Sequence, residues 1–336
     1  MPNTSSSVFG HGRPTVGPTG PVQVIAPTTP APPNTGAGRF LGNNVEYKTT
    51  YDPTLLQPVD RQDNRTHLGI SKEDLPFVGY DVWNAYEISC LLTNGIPVVG
   101  LAKIIYPANS PNIVESKSLK LYLNSFNMTK VGDDDTNADT AREIIASTIA
   151  ADLKKCVGAA VDVTVFPPDC ESAHGYGGVE QLTRINIDDY TRTRSNNLSA
   201  SVYNEDSKLL ELSLDRDAER LYVSNLLRSN CKVTAQPDWG TVYVYTSGSV
   251  RVVPESLLKY IISFRNENHF HEEICETIYK RLHSILGDSK LAVACLYTRR
   301  GGIDINPIRG TSEKEVRVLF NELLKTDTPS LKTSRQ

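Results

Sequence analysis

One pattern of elements occurs twice in this chain, and the repeat limits the folds that the chain can adopt. Residues 115–126 and 255–264 share the order Glu-Ser, Leu-Lys, Tyr and Ser-Phe. A β-hairpin pattern precedes each copy, and an amphipathic helix ending at a glycine and then a further strand follow it. In the first half, the predicted elements are a hairpin at 96–106, a helix at 138–156 and a strand at 160–166. In the second half, they are a hairpin at 241–253 with its turn at 247–249, a helix at 270–286 and a strand at 291–297.

The order hairpin, helix, strand predicts antiparallel β-sheets with helices packed on one face, which is the α+β class. Because the pattern occurs only twice, a tandem pair is expected and a solenoid is not. We divide the chain into a Pro/Gly/Ser/Thr-rich extension at 1–42, an N-terminal module at 43–197, a C-terminal module at 198–310 and a C-terminal extension at 311–336. The first extension has too little apolar surface to offset its ordering entropy, so disorder is expected. A short strand at 184–187 and a helix at 315–324 complete the predicted elements.

Composition argues against several classes of protein. A net charge of −4 gives no sequence-wide basic surface, so direct binding of nucleic acid is not expected. The six cysteines form no CxxC pair, so neither a zinc ribbon nor a thioredoxin-type dithiol is indicated, and we expect no metal. The N-terminus lacks a signal-peptide pattern, and the most apolar stretch, 95–106, is too short to span a bilayer. The sequence therefore predicts a cytoplasmic protein with reduced thiols and no membrane contact.

The stretch from Cys231 to Gly240 is the strongest chemical candidate. It places a thiol seven residues before Asp238, with a Pro-Asp turn between two β-rich runs. A cysteine attacks as its thiolate, and an ordinary thiol is only a few per cent ionised at pH 7. Asp238 is a candidate proton acceptor that would increase the reactive fraction. Free cysteines are more often small buried apolar residues, and for Cys231 that alternative stays open at this point.

Two further clusters carry titratable groups. His271 and Glu272 begin the second predicted helix, where a carboxylate also complements the helix dipole with no other function. Residues 115–122 contain an acid, two hydroxyls and two cations. Lys117 and Lys120 suit phosphates, although such charge mixtures are mostly solvated surface. Taken alone, each cluster is explained by the structural role. The sequence has no strand–GxGxxG–helix, Walker, HExxH or GxSxG motif.

The three clusters together, in this order, resemble the NADPH-dependent 7-cyano-7-deazaguanine reductases of queuosine biosynthesis in their long two-module form. Residues 115–122 read ESKSLKLY and match that family's motif E-S-K-S-x-K-L-Y. The resemblance covers roughly residues 47–309, and several separate long motifs carry it. Besides 115–122, these are residues 50–57, 231–240, 270–272 and 297–307.

The resemblance implies an α+β tunnelling fold with two modules per chain, pairing as a homodimer, and active sites at module interfaces. The implied reaction reduces the nitrile of a deazapurine to a primary amine with two NADPH. Cys231 would bond to the nitrile carbon as a covalent thioimide, and Asp238 would supply the proton. The residues implied to contact the deazaguanine are Val114, Glu115, Ser116, His271 and Glu272, and those implied to hold NADPH are Ser116, Lys117, Arg300 and Gly301.

The residues themselves agree with these implied roles. Carboxylates suit a guanine-like edge, whose N1–H and exocyclic amine are donors, and the cations suit cofactor phosphates. The first module has no cysteine–acid pair, and the second lacks the Lys-Ser that follows Glu-Ser in the first copy, so a site must combine both. The family often has a protective cysteine three residues after the position of His271. Here that residue is Ile274 and Cys275 comes next, so a protective Cys231–Cys275 disulfide lacks support.

Other functions remain open on the sequence. A transferase relative on the same scaffold carries the thioimide to an amidine with an amine donor, and a non-catalytic purine-binding protein is a third possibility. A zinc hydrolase of the cyclohydrolase type is weaker, because no His/Cys cluster at metal spacing accompanies Cys231. Residues 1–40 and 312–325 lie outside the family pattern, and neither is assigned a function.

Overall fold

A nine-stranded sheet forms the centre of the computed structural model, which describes residues 48–170, 184–191, 199–330 and 336. The strands are β1 (Pro58–Asp60), β2 (Val78–Leu91), β3 (Pro97–Pro107), β4 (Asn112–Val114), β5 (Asp162–Phe166), β6 (Arg184–Asn186), β7 (Leu212–Cys231), β8 (Pro237–Val252), β9 (Asn268–His269), β10 (Lys290–Tyr297) and β11 (Ile303–Gly310). The helices are α1 (Arg61–Arg65), α2 (Ser116–Asn124), α3 (Ala138–Val157), α4 (Pro254–Ser263), α5 (His271–Leu286) and α6 (Glu313–Leu324). None of these helices is long and apolar enough to cross a bilayer.

The sheet is continuous between the two halves of the chain. Its order is β5-β3-β2-β11-β10-β8-β7-β6, with β9 also pairing with β7, and β1 and β4 form a separate ladder. The join is antiparallel pairing of β11 with β2, from Ile303 opposite Ala85 to Gly310 opposite Val78. Only β6 and β9 pair in parallel, both with β7. The predicted α+β class is confirmed. The disordered extension at 1–42 and the module boundary at 197 lie outside the described residues, and the two-module division stays a prediction.

Alternating side chains give the sheet two apolar faces. Along β8, Val242 and Val244 pack with the apolar sides of α4 and α5, while Tyr243 and Tyr245 point the other way. In the first half, α2 and α3 cover the same face as α4 and α5 do in the second. The opposite face is covered by α6, whose Val316, Phe320 and Leu323 join the cluster around Tyr243. Thus α6 is the exception to the expected packing of helices on one face.

The two long helices, the strands after them and the two short elements predicted from the sequence are confirmed. The two long helices are α3 and α5, and each ends at the expected glycine, Gly158 or Gly287. The strands after them are β5 and β10. The short strand predicted at 184–187 is β6, and the C-terminal helix predicted at 315–324 is α6.

The two predicted hairpins are wrong, because each segment lies in or almost wholly in a single strand. Residues 247–249 lie inside the continuous strand β8, whose hairpin partner is β7, and residues 96–106 lie mostly in β3, whose partner is β2. Gly248, which suggested a turn, and Gly100 in the first segment both have a packing reason. A Cβ on Gly248 would lie 2.5 Å from Ser289 Oγ, and one on Gly100 would lie 2.7 Å from Val165 Cγ1. Both glycines therefore mark close approach of a neighbouring segment.

Candidate active site

A cavity of about 350 Å³ lies between the two halves of the chain. Its wall comes from the start of α2 in the first half and from the ends of β7 and β10, the starts of β8 and α5, and the turn before β11 in the second. The structure brings together every candidate residue that the sequence suggested. The lining includes Val114, Glu115, Ser116, Lys117, Cys231, Asp238, His271, Glu272, Arg300 and Gly301.

Cys231 is the last residue of β7 and begins the turn into β8. Its N–H donates to the carbonyl oxygen of Gln236 at 2.8 Å, and the N–H of Ala235 donates back to the Cys231 carbonyl at 2.9 Å. Ala235 has φ of 54°, the left-handed region that a Cβ disfavours, so this turn is held in a strained form. The Cys231 side chain is partly exposed at the cavity wall. The alternative that Cys231 is a buried core residue is therefore excluded.

Asp238 is buried in the same cavity wall as Cys231, and its carboxylate pairs with Arg300 and His271. Arg300 Nη1 donates to its Oδ1, and His271 Nε2 lies 3.4 Å from its Oδ2. Burial raises the pKa of the Asp238 carboxyl, but His271 and Arg300 outweigh burial and hold this pKa below its ordinary value. The group is a carboxylate at neutral pH and is able to accept a proton from a thiol.

His271 is the first residue of α5 and is fixed by stacking. Its ring lies on that of Tyr297, with centroids 3.8 Å apart and planes 13° apart. Its Nε2 faces Asp238, while its Nδ1 is buried and has no hydrogen-bond partner among the described residues. The packing therefore orients the ring, and one nitrogen is left for a ligand.

Glu272 is a buried carboxyl with unused hydrogen-bonding capacity. Its side chain is 4% exposed, and Oε1 has no partner among the described residues. Burial, and secondarily the negative charge of Asp81, raise the pKa of Glu272 to about 7, against the opposing effects of His271 and Arg61. Leaving a buried acceptor unpaired is costly, so a donor supplied by a ligand would be strongly favoured here.

Glu115 caps the N-terminus of α2, a role that the sequence analysis did not assign. Its Oε1 accepts from the N–H of Lys117 at 3.0 Å, and its Oε2 accepts from the N–H of Ser118 at 2.7 Å. Burial raises the pKa of this carboxyl, and the two N–H donors oppose that effect. A carboxylate has about four lone-pair sites, so two remain for a ligand. The signal that was missed is an N-cap acid before a helical apolar pattern, because residues 115–122 were interpreted as solvated surface.

Three cations lie along one side of the cavity. Lys117 and Lys120 come from α2, and Arg300 comes from the turn between β10 and β11. Lys120 Nζ donates to the carbonyl oxygen of Gly301 at 2.7 Å, which joins the two halves of the chain. Gly301 has φ of 57°, and a Cβ there would lie 2.8 Å from Lys120 Nζ. The conformation and the close lysine both favour glycine, and the cations suit a phosphate-bearing ligand.

The cavity also includes residues that were not singled out from the sequence. Trp83 of β2 lines it, and its Nε1 is buried without a hydrogen-bond partner among the described residues. Phe270 and Gln236 line it as well. No sequence signal points to Trp83, since a tryptophan in a strand is usually a core residue.

Cys275 lies in the core away from this wall. It is fully buried, and its thiol donates to the carbonyl oxygens of Val293 at 3.6 Å and Pro307 at 3.5 Å. Both Cys275 and Cys231 are free thiols in this structure. The structure therefore gives no support for a protective disulfide between them, as expected from the shift of one residue.

Two family models match the chain. One, described as nitrile reductase, 7-cyano-7-deazaguanine-reductase N-term, matches residues 47–165, and the other, described as QueF-like protein, matches residues 237–316. These two matches contain the ESKSLKLY motif and the second-half site residues from Asp238 onward.

Full-length relatives extend the match between these regions. The NADPH-dependent 7-cyano-7-deazaguanine reductase of Ralstonia nicotianae is 42% identical over 271 residues, which cover 80% of this chain and 91% of the relative. Proteins of the same name from Azoarcus sp. and Desulfotalea psychrophila are 42% identical over 275 residues and 40% identical over 282 residues. These matches cover 82% and 83% of this chain, and 91% and 94% of the relatives. The resemblance drawn from the motifs is confirmed: the chain belongs to the family of NADPH-dependent 7-cyano-7-deazaguanine reductases.

Proposed function

We propose that this protein reduces the nitrile of 7-cyano-7-deazaguanine to the aminomethyl group, using NADPH and a covalent thioimide on Cys231. One observation carries the proposal. The partly exposed Cys231 thiol and the buried Asp238 carboxylate line the same cavity as Glu115 and Glu272, which approach it from opposite halves of the chain. Nucleophile, proton acceptor and recognition groups for a guanine-like base are thus within one small-molecule cavity.

Two buried carboxyls would recognise the base. A guanine-like edge presents an N1–H and an exocyclic amine, which need acceptors. Glu272 Oε1 lacks a partner among the described residues, and Glu115 retains two lone-pair sites. Val114, Ser116 and His271 complete the proposed contacts with the base. Since the carboxyls are buried, each hydrogen bond to them replaces little solvent and contributes strongly.

The first chemical step would be addition of the thiol to the nitrile. The Cys231 S–H bond breaks and its proton moves to Asp238, while sulfur bonds to the nitrile carbon. One π bond of the nitrile becomes an N–H bond when Asp238 returns that proton to nitrogen. Because Arg300 occupies Oδ1, we assign the proton transfer to Oδ2, which faces His271. The step needs no oxidant or reductant and leaves a neutral thioimide.

The residues proposed to hold NADPH are Ser116, Lys117, Arg300 and Gly301. The cations along this side of the cavity, with Lys120 among them, fit the phosphates of a dinucleotide. Bound NADPH would supply the two hydrides, one from each of two cofactor molecules, that convert the thioimide carbon to an amine carbon. Each hydride would be matched by one proton taken up from solvent. After the first addition the C–S bond would break with its electron pair leaving on Cys231, and the second hydride would reduce the resulting iminium carbon, while Asp238 is placed to carry protons at this site.

The wider setting is proposed on the resemblance. We place the product in the biosynthesis of queuosine in transfer RNA, with the free base, not the nucleic acid, as the substrate. We expect a homodimer in the cytoplasm.

The reaction is tested by its stoichiometry. Purified protein with 7-cyano-7-deazaguanine should oxidise two NADPH for each amine formed, measured by absorbance and by mass spectrometry of the product. A covalent adduct without NADPH oxidation would instead favour the amidine-forming transferase. Tight binding with neither adduct nor oxidation would favour a non-catalytic purine-binding protein.

Substrate affinity should depend on the ionisation of Glu272. The carboxylate accepts at both oxygens, whereas the protonated acid exchanges one acceptor for an O–H donor that opposes the donors of the base, so affinity should fall by up to about tenfold per pH unit below pH ~7 and level off above it. Noncovalent affinity can be measured by calorimetry in a Cys231→Ala background. Glu272→Gln should weaken binding about 10- to 100-fold and remove the inflection. Glu255→Gln changes an acid in the first turn of α4, outside the cavity, and should change neither the affinity nor its pH dependence. A pH-independent affinity in the Cys231→Ala background would contradict this role.

A further inference from the structure

We propose that Arg300 is a positioning residue for the first chemical step: its guanidinium holds the Asp238 carboxylate against the Cys231 thiol and stabilises the thiolate form. This role is separate from the proposed contact of Arg300 with cofactor phosphates. The role adds a positioning residue to the proposed function, and its expected effect on the reaction with the nitrile rests on that function.

The guanidinium joins three residues of one turn. Its Nη1 donates to Asp238 Oδ1, its Nη2 donates to Gln236 Oε1 at 2.6 Å, and it also interacts with the Cys231 side chain. The backbones of Gln236 and Cys231 are hydrogen-bonded, since the Gln236 carbonyl oxygen accepts from the Cys231 N–H at 2.8 Å. A single planar group therefore fixes the acid relative to the nucleophile, which suits the fork geometry of arginine better than the point charge of lysine.

The backbone of Arg300 is itself held in place. Its N–H donates to the Ile303 carbonyl at 2.9 Å, and the Ile303 N–H donates back at 3.2 Å, which closes the turn. Gly301 and Gly302 adopt left-handed conformations within it, and Lys120 Nζ binds the Gly301 carbonyl. The guanidinium thus projects from a closed turn that is also tied to α2. Such support is what a positioning residue requires.

The charges around the thiol explain the direction of the effect. A carboxylate at Asp238 disfavours a second negative charge on Cys231, and the Arg300 guanidinium offsets this repulsion while attracting the thiolate. The other ionisable or charged groups that line the cavity with Cys231 are Glu115, Lys117, Lys120, His269, His271 and Glu272, and Lys232 is its neighbour in sequence. They are present in every variant used below. Loss of the Arg300 charge therefore removes an attraction for the Cys231 thiolate and leaves the repulsion by the Asp238 carboxylate without an offset.

The pH dependence of thiol alkylation tests this role without substrate or cofactor. Iodoacetamide labelling of Cys231 would be followed by peptide mass spectrometry in the wild type, Arg300→Gln and Arg300→Lys. Cys170, which is also partly exposed, serves as an internal reference. In Arg300→Gln the pH midpoint should rise by about one unit, which slows labelling about tenfold below the midpoint. Arg300→Lys should restore most of the midpoint. An unchanged midpoint in a folded Arg300→Gln protein would overturn the proposal.

Adduct formation without NADPH separates this role from cofactor binding. If Arg300 acts only on the cofactor, Arg300→Gln and the wild type should form the nitrile adduct at equal rates. We expect the adduct to form about tenfold more slowly in Arg300→Gln, with Arg300→Lys slower than wild type because lysine lacks the fork. Equal rates in the three proteins would contradict the proposal. Absence of an adduct in the wild type would contradict the proposed function, and the labelling midpoints would still decide the role of Arg300.

Discussion

Replacement of Cys231 by alanine is expected to reduce nitrile reduction by at least about 10⁴-fold, because removal of a covalent nucleophile costs most of the chemical rate enhancement. The side chain lines the cavity wall, so the change removes the sulfur with little effect on core packing. Binding of the base should persist, since Glu115 and Glu272 remain. NADPH oxidation under saturating substrate is the measurement. Cys231→Ser tests the same point with a similar volume, because a hydroxyl is a far weaker nucleophile near neutral pH.

The matched control is Cys170→Ala. Cys170 is the other partly exposed cysteine among the described residues and is absent from the cavity wall. Its replacement should leave the rate within about twofold of wild type, as expected for a substitution away from buried contacts. If Cys231→Ala retained substantial activity while binding the base normally, covalent catalysis at this position would be wrong.

Replacement of Asp238 by asparagine should lower the rate about 10²- to 10⁴-fold, the usual contribution of a positioned acid–base group. The asparagine keeps the shape and a hydrogen-bond acceptor for Arg300 but cannot carry the proton between Cys231 and the nitrile nitrogen. The rate of adduct formation before NADPH is added isolates this step. Asp288→Asn, an exposed change after α5, serves as control. Rapid adduct formation in Asp238→Asn would show that another group moves the proton.

Asp238 and Glu272 should affect different parts of the pH profile of activity. His271 and Arg300 hold the pKa of Asp238 below its ordinary value, so the carboxylate form of Asp238 persists as pH falls through the mildly acid range. Glu272 has its pKa raised to about 7, so its carboxylate form is lost as pH falls below neutrality. Loss of activity between about pH 7 and 5 at low substrate should therefore follow Glu272 and appear in KM more than in kcat.

Much of the site could be predicted from the sequence, because its parts are carried by short stretches with distinct residues. The ESKSLKLY motif, the stretch from Cys231 to Gly240, the His271–Glu272 pair and the turn at Arg300 all reach the cavity wall. The long helices followed from apolar periodicity and stopping glycines. The first half contains the ESKSLKLY motif and the second contains Cys231 and Asp238, which indicated a site between the halves. The pairing of β11 with β2 brings the two halves together.

The missed features depend on contacts between distant residues. Gly248 suggested a turn, but it allows close approach of Ser289, as Gly100 allows close approach of Val165, and no local pattern reveals either contact. The role of Glu115 as the N-cap of α2 was missed because the mixed charges of residues 115–122 were interpreted as solvated surface, although this short helix has a clear apolar side. The pairing of Arg300 with Asp238 joins residues that are 62 positions apart. Sequence reasoning placed both at the site but could not assign them to each other.

The covalent account is tested most directly by the intact mass of the protein after mixing with 7-cyano-7-deazaguanine in the absence of NADPH. The wild type should gain the mass of one substrate molecule, with the adduct mapped to the peptide containing Cys231, and Cys231→Ala should gain nothing. Addition of NADPH should then remove the adduct and release the amine. A wild-type protein that keeps its unmodified mass while binding the substrate and oxidising NADPH would contradict a thioimide at Cys231.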